Sequence, residues 1–470
     1  MAAEIDQPGM SNRGQPLPVL SEQIPAQFTQ AGALRFWFAA VLTGVATGIG
    51  AIALTRLLEL VQHWLWPGYS LVEAASTASV QRHLLILLGA GAVVVAGQLL
   101  LKHLTSGNGI ETTAAIWFHA GRMPALRTLG SAVLSVIIVG MGVSMGREGA
   151  PKQAGAVFAN FFADRVRLSD EQRRLLVACG AGAGMGAAYG VPLGGAIFSL
   201  EVMRGVLALR YVLPAILVSA VATGVSWLGL PNTKTYEVPH YTATAMACLF
   251  ALVAGPIAGV MSVAYVQMIT WAERHKPDGW RRFLEPLVVM GALGAASIWY
   301  PQVLGNGKDV SQLAFVGGVG ALLALVLFFL KPAATGLCMK SGAPGGLFTP
   351  SLTFGAMLGA LLGHGWAMLF PGLPVGLCAL LGASAVIAAT TQGPISAIVL
   401  MMELTGRDRS FALPMLLVVT MATLVARTIT PRSIYDARLT DEEFEERRAL
   451  RDLRPVQKPV TPEAAPQNLN

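Results

Sequence analysis

From Ser341 to Met402 the chain carries no Asp, Glu, Lys or Arg, and the same holds from Leu175 to Leu200 and from Val238 to Ala272. A stretch of about 18 apolar residues already crosses a bilayer as a helix. Each of these longer stretches is therefore expected to hold more than one helix, or a helix folded back. Over 470 residues only 13% are charged and 54% are hydrophobic, where soluble domains carry about 25% charged residues. Lipid offers no partner to open backbone N–H and C=O groups, which leaves helices or closed barrels as spanning structures. Barrel strands alternate apolar with polar residues, and this sequence does not. The expected class is an all-α membrane protein, seated in a lipid bilayer.

The charges that remain are segregated. Arg and Lys collect in short hydrophilic connections, Arg165 to Arg174 and Arg274 to Arg282, and again from Arg427 to Arg454. That is the pattern of cytoplasmic loops under the positive-inside rule, so the net charge of +7 reads as membrane topology and not as a nucleic-acid partner. Residues 1–32 are polar and Pro-containing, without the short apolar core of a signal peptide; they read as a cytoplasmic tail. Residues 441–470 read as a second cytoplasmic tail, too small for a folded regulatory domain. The four cysteines lack C-x-x-C spacing and the seven histidines form no i, i+4 pair, so neither a metal site nor a cofactor is expected.

An internal repeat organises the span between the tails. Gly180 to Glu201 compares with Gly382 to Glu403 at an offset of 202, and Gly180, Ala181, Ala183, Ala187, Pro192 and Glu201 meet identical residues. In both copies a small-residue helix breaks at Pro and a second apolar helix ends at Glu. A G-N-G recurs at Gly107–Gly109 and Gly305–Gly307, and a G-A-P at Gly149–Pro151 and Gly342–Pro344. The repeats are placed at 33–235 and 236–440. Repeated halves broken by Gly and Pro mark transporter folds of inverted topology, in which broken helices meet at a site near the bilayer midplane.

Three Gly-rich breaks are candidates for that site: S-G-N-G-I-E at 106–111, G-R-E-G-A-P at 146–151 and G-A-P-G-G-L-F-T-P at 342–350. Each is a short loop before an apolar helix. The free N–H groups and macrodipole of such a helix start form an anion site without a full cation, and a pore needs that weakness because Arg or Lys would hold the ion too firmly. The three motifs, in this order and followed by Ile434 and Tyr435 near the end, resemble those of the CLC chloride channels and chloride/proton exchangers, in the bacterial type without C-terminal regulatory domains.

The resemblance implies a homodimer of two-repeat subunits in a bacterial inner (plasma) membrane, each subunit with its own chloride pathway. It implies that Glu148 is the gating glutamate, whose carboxylate occupies an anion position and leaves it when protonated or displaced. Asn108, Gly149, the backbone N–H groups of Leu347 and Phe348, and the Tyr435 hydroxyl would complete the anion site. Two positions depart from the family. Asn108 stands where the family has serine, which alters the donor geometry around the ion. Val202 stands where proton-coupled members carry a second glutamate on the cytoplasmic side. Valine cannot bind a proton, and Glu201 lies about 100° away around a helix, so a passive channel is favoured and a chloride/proton exchanger is the alternative.

Glu201 and Glu403 are expected to serve structure, because buried charges are paired. Glu111 is placed one turn into its helix, near a basic side chain. The glycines at 180–186 are expected to pack helices closely. A membrane-embedded enzyme using Glu148, Asn108 and Tyr435 would lack a nucleophile with a base or metal ligands, and an organic-solute transporter would need specificity groups the sequence does not show. On this reading Asn108→Ser changes the chloride-to-nitrate permeability ratio in reconstituted vesicles; an identical ratio would mean that this side chain does not touch the ion.

Overall fold

The structure, a computed structural model, describes Ile24, Gln30 and residues 32–104, 111–406 and 410–452. The first half comprises α1 (Ala33–Leu65), α2 (Leu71–Ser76), α3 (Val80–Leu104), α4 (Thr112–Phe118), α5 (Ala125–Gly140), α6 (Gly149–Arg165), α7 (Asp170–Tyr189), α8 (Pro192–Phe198) with a π-helical turn over Ser199–Arg204, and α9 (Leu209–Ser226). The second half comprises α10 (Ala245–Arg274), α11 (Arg281–Trp299), α12 (Lys308–Phe315), α13 (Ala321–Lys340), α14 (Phe348–Leu369), α15 (Val375–Thr391), α16 (Pro394–Thr405) and α17 (Ala412–Ile429). A 3₁₀ turn over Ile434–Asp436 and α18 (Asp441–Asp452) follow. Among the described residues, eight spans are long and apolar enough to cross a bilayer.

Packing shows the two halves to be copies. Gly44 and Gly48 of α1 lie against Val218, Val221 and Val225 of α9, and Gly255 and Gly259 of α10 lie against Val418, Met421 and Val425 of α17. A methyl group on Gly155 of α6 would be driven into the carbonyl of Gly180 on α7, and one on Gly180 into the carbonyl of Gly155. Gly355 of α14 and Gly382 of α15 stand in the same relation. Between α3 and α11 the contact crosses from one copy to the other: Gly91 meets the backbone of Pro286 and Leu287, while Gly294 meets that of His83. Small residues at these crossings let backbones approach closely, which drives helix association where lipid supplies no hydrophobic force.

The small-residue helices form the centre. Every residue of α7 from Leu175 to Tyr189 and of α15 from Gly376 to Thr391 is buried, so both are surrounded by protein, as helices apolar on all faces are. Each ends in the same way. Gly190 takes a left-handed φ of 69° and Gln392 one of 58°, and Pro192 and Pro394 then open the next helix. Proline tolerates only a first turn, where its missing N–H is not needed. The outer helices present large apolar side chains such as Leu209 and Leu322 at 87% and 75% exposure, a lipid-facing surface. The chain is an all-α, multi-pass membrane protein of two inverted, tilted and broken repeats.

Three details differ from the sequence reading. The Val238–Ala272 stretch holds one helix, because α10 runs for 30 residues and so crosses at a tilt. The helix after the second break, α6, is less apolar than expected, since Lys152, Gln153 and Asn160 lie along it. The G-A-P landmark is not an equivalence. Pro151 lies in the first turn of α6, whereas Pro344 precedes the loop leading to α14.

Gly180→Ala is expected to lower the thermal unfolding temperature in detergent, by an overpacking cost of at least about 1–3 kcal/mol. Gly224→Ala, where an added carbon meets nothing within 4 Å, should be neutral or slightly stabilising. Equal behaviour of the two would contradict the close-packing reading.

Candidate functional site

The starts of α6 and α14 are clasped together. Gly146 N–H donates to the Gly346 carbonyl at 2.8 Å and Gly346 N–H returns the bond at 2.7 Å. This antiparallel bridge is the one extended pairing among the described residues. Equivalent residues pairing antiparallel place a two-fold axis between them, which is the inversion relating the halves. The approach requires glycine: a carbon on Gly149 would lie 2.9 Å from Gly346 N, and one on Gly346 would collide with the Glu148 carboxylate.

Glu148 is the N-cap residue of α6, yet its carboxylate turns away from that helix. Oε1 accepts from Phe348 N–H at 2.7 Å, the first residue of α14. Oε2 accepts from the Thr349 hydroxyl at 3.0 Å and from the Tyr189 hydroxyl at 3.4 Å, and these two hydroxyls lie 2.8 Å apart. Glu148 is 3% exposed, and among the described residues no ion pair neutralises it. The neighbouring Arg147 guanidinium lies 4.9 Å above the Tyr189 ring instead. A buried carboxylate is thus held by a helix start and two hydroxyls, the donor set suited to an anion that must also be able to leave. Leu347 caps α14, and its carbonyl accepts from the N–H of Ser351 at 3.0 Å and from its hydroxyl at 2.6 Å.

A cavity of about 220 Å³ borders Arg147, the neighbour of Glu148, and is lined also by Tyr69, Lys308 and Asp309. Tyr435 is buried near Glu148 and Glu111. Its ring meets Phe198 edge-on at 5.6 Å between centroids, and the Lys152 ammonium lies 4.5 Å above it. Lys152 pairs with Glu111 at 3.4 Å. Glu111 is the N-cap of α4, accepting from Thr113 N–H, and does not sit one turn inside the helix as the sequence reading had it. Asn108 lies outside the described residues. Tyr189, Thr349 and Lys152 were not anticipated as site residues; only Thr349, inside the G-L-F-T-P motif, carried a usable signal.

The repeat-related glutamates are caps. Glu201 accepts from Ile395 N–H at 3.2 Å and Ser396 N–H at 2.6 Å, at the start of α16. Glu403 accepts from Leu193 N–H at 3.1 Å and Gly194 N–H at 2.6 Å, at the start of α8. Each half thereby satisfies the helix start of the other. Val202 is buried beside them, its carbonyl accepting from Arg447 at 3.2 Å.

A family model for voltage gated chloride channels matches residues 90–427. The chain belongs to the CLC family. A relative from Vibrio cholerae, named an H(+)/Cl(-) exchange transporter ClcA, is 32% identical over 310 residues, 63% of this chain. The match spans 66% of that relative, just under two thirds of its length. A ClcB-like chloride channel protein of Ralstonia nicotianae is 32% identical over 84% of this chain and 94% of its own. Among solved structures, a slow cyanobacterial Cl-/H+ antiporter superposes with a TM-score of 0.76 at 22% identity, covering 89% of this chain and 99% of the other, which establishes the shared CLC fold. In this CLC protein, Glu403→Ala strands two backbone N–H groups, each costing about 1–3 kcal/mol when buried without a partner. A clearly lowered unfolding temperature in detergent is expected; an unchanged one would mean that water or a neighbour replaces the cap.

Proposed function

We propose that this protein exchanges chloride for protons across a bilayer, with Glu148 as the group that both ions compete for. The observation that carries the reading is the Glu148 carboxylate in the grip of Phe348 N–H at 2.7 Å. A chloride ion needs the same donors at the same helix start, so anion and ionised carboxylate exclude one another there. A proton neutralises the carboxylate, which then forfeits the charge-assisted bond and vacates the position for chloride. Leu347, Phe348, Gly149 and Tyr435 line the proposed anion route, and Asn108 is assigned to it by its motif.

The sequence alone favoured a passive channel, because Val202 removes a proton-binding side chain. The exchanger is preferred because the Vibrio relative is named an exchange transporter and the cyanobacterial neighbour an antiporter. The Ralstonia relative is named a channel, and with Val202 it keeps the channel as the second reading. We assign the protein to a bacterial plasma membrane as a homodimer. The face holding Glu171–Arg204, Glu273–Arg438 and the Asp441 contacts of Arg274 and Arg432 is taken as cytoplasmic under the positive-inside rule.

The test is simultaneous chloride and proton recording from reconstituted vesicles. A chloride gradient should drive protons uphill in the wild type. In Glu148→Ala, proton movement should vanish and chloride flux should lose its pH dependence. Chloride movement without protons in the wild type would select the channel, and an unaltered variant would remove Glu148 from the mechanism.

A further inference from the structure

We propose that Glu111, paired with Lys152 beneath Tyr435, is the carboxylate that relays protons between Glu148 and the basic face of the protein. The proposal rests on the exchanger reading above. Exchange needs a second proton stop, because Glu148 is buried and the position the resemblance assigns to that stop holds Val202.

The buried acids toward the basic face differ in how fully they are occupied. Glu201 and Glu403 each take two backbone N–H bonds. Glu171 is held by Arg204 at 2.6 Å and by the Tyr211 hydroxyl at 2.9 Å. Asp436 accepts from the N–H and hydroxyl of Ser433 and from Arg447. Glu273 pairs with Lys276 and Arg438. Glu111 is set apart by the length of its ion pair: among the described residues one oxygen caps Thr113 N–H and the other meets Lys152 at 3.4 Å, whereas Glu171 and Glu273, each with one oxygen unbonded, hold short pairs to Arg204 and Lys276. A proton on the oxygen that faces Lys152 leaves the Thr113 cap on the other oxygen in place and breaks no short ion pair.

Its position suits the task. Lys152 stands one turn beyond Glu148 on α6, its N–H bonded to the Glu148 carbonyl at 3.2 Å, so the two side chains share a helix face. The Lys152 side chain then bridges from that face to Glu111 on α4, passing over the Tyr435 ring. The groups facing Glu111 are Lys152 from α6, Arg438 from the segment after α17, and Tyr435. The Glu111 side chain is 11% exposed and that of Lys152 9%, against 3% for Glu148. In the proposed step one proton passes from the Glu111 carboxyl to the Glu148 carboxylate. Glu111 is left charged beside Lys152, and Glu148 is left neutral and free of Phe348.

Glu111→Gln tests this, since the amide oxygen can still accept from Thr113 N–H but cannot carry a proton. In vesicles of full-length protein, proton flux should fall at least about tenfold and the chloride-to-proton ratio should rise by a similar factor. The double variant Glu111→Gln/Lys152→Met removes both charges together, so neither is left buried and unpaired, and it should show the same split. A wild-type ratio in either variant would overturn the proposal, as would loss of both fluxes from protein that elutes and melts like the wild type. Failure of the exchanger reading is distinguished beforehand, because the wild type would then move chloride with no protons at all.

Discussion

A single backbone N–H at the start of α14, pointed at the Glu148 carboxylate across the middle of the protein, sets the conditions that the rest of the fold satisfies. A charged side chain at the centre of a bilayer costs about 2.5–3.5 kcal/mol on insertion scales. A hydrogen bond to a charged group returns about 1.5–3 kcal/mol, and a helix start adds up to about 2 kcal/mol in a partly buried geometry. The donors from Phe348, Thr349 and Tyr189 are therefore of the same order as the burial cost. Neither side dominates. A site balanced in this way holds negative charge without trapping it, which a Lys or Arg in the same place would not do.

That balance depends on backbone reaching where side chains normally stand. The mutual bonds of Gly146 and Gly346 bring two helix starts together, and they form only because no side chain intervenes. Holding two chain breaks at one point then requires the flanking helices to approach just as closely. The glycine contacts of α6 with α7 and of α14 with α15 do this, and the crossed caps of Glu201 and Glu403 tie the next helix starts across the same axis. The glycines and the two glutamates thus belong to one mechanical problem, that of keeping interrupted helices satisfied in a solvent that offers no hydrogen bonds.

This explains which parts were legible in the sequence. Breaks in apolar segments demand Gly and Pro, so the two loops before α6 and α14, the Pro192 and Pro394 helix starts and the paired glutamates were visible, and Glu148 and Phe348 came with them. The fold class followed from charge-free length alone. Features that depend on a single side chain meeting a distant one were not visible. Tyr189 and Thr349 lie 160 residues apart, and Lys152 and Glu111 lie 41 apart. The helix α6 carries Lys152 and Asn160 because these polar residues are buried inside the protein and do not face lipid. The G-A-P match misled because glycine and alanine are abundant enough to recur by chance.

The repeat also indicates where chemistry can reside. At the offset of the paired glycines, Glu148 corresponds to Phe348 and Lys152 to Leu352. The N-cap of α4 is Glu111, and that of the related α12 is Gly307. One copy supplies the carboxylate and the other supplies the N–H that holds it. Two identical copies would have put equal donors on both sides of the axis, and nothing would then distinguish an ion arriving from one face from an ion arriving from the other. The differences between the copies gather at the site, where Glu148 and Lys152 meet apolar residues while Glu111 meets Asp309 at the offset of the G-N-G pair, and the shared glycines and caps keep the frame. Direction in the proposed exchange therefore has to come from the residues at which the two halves no longer match.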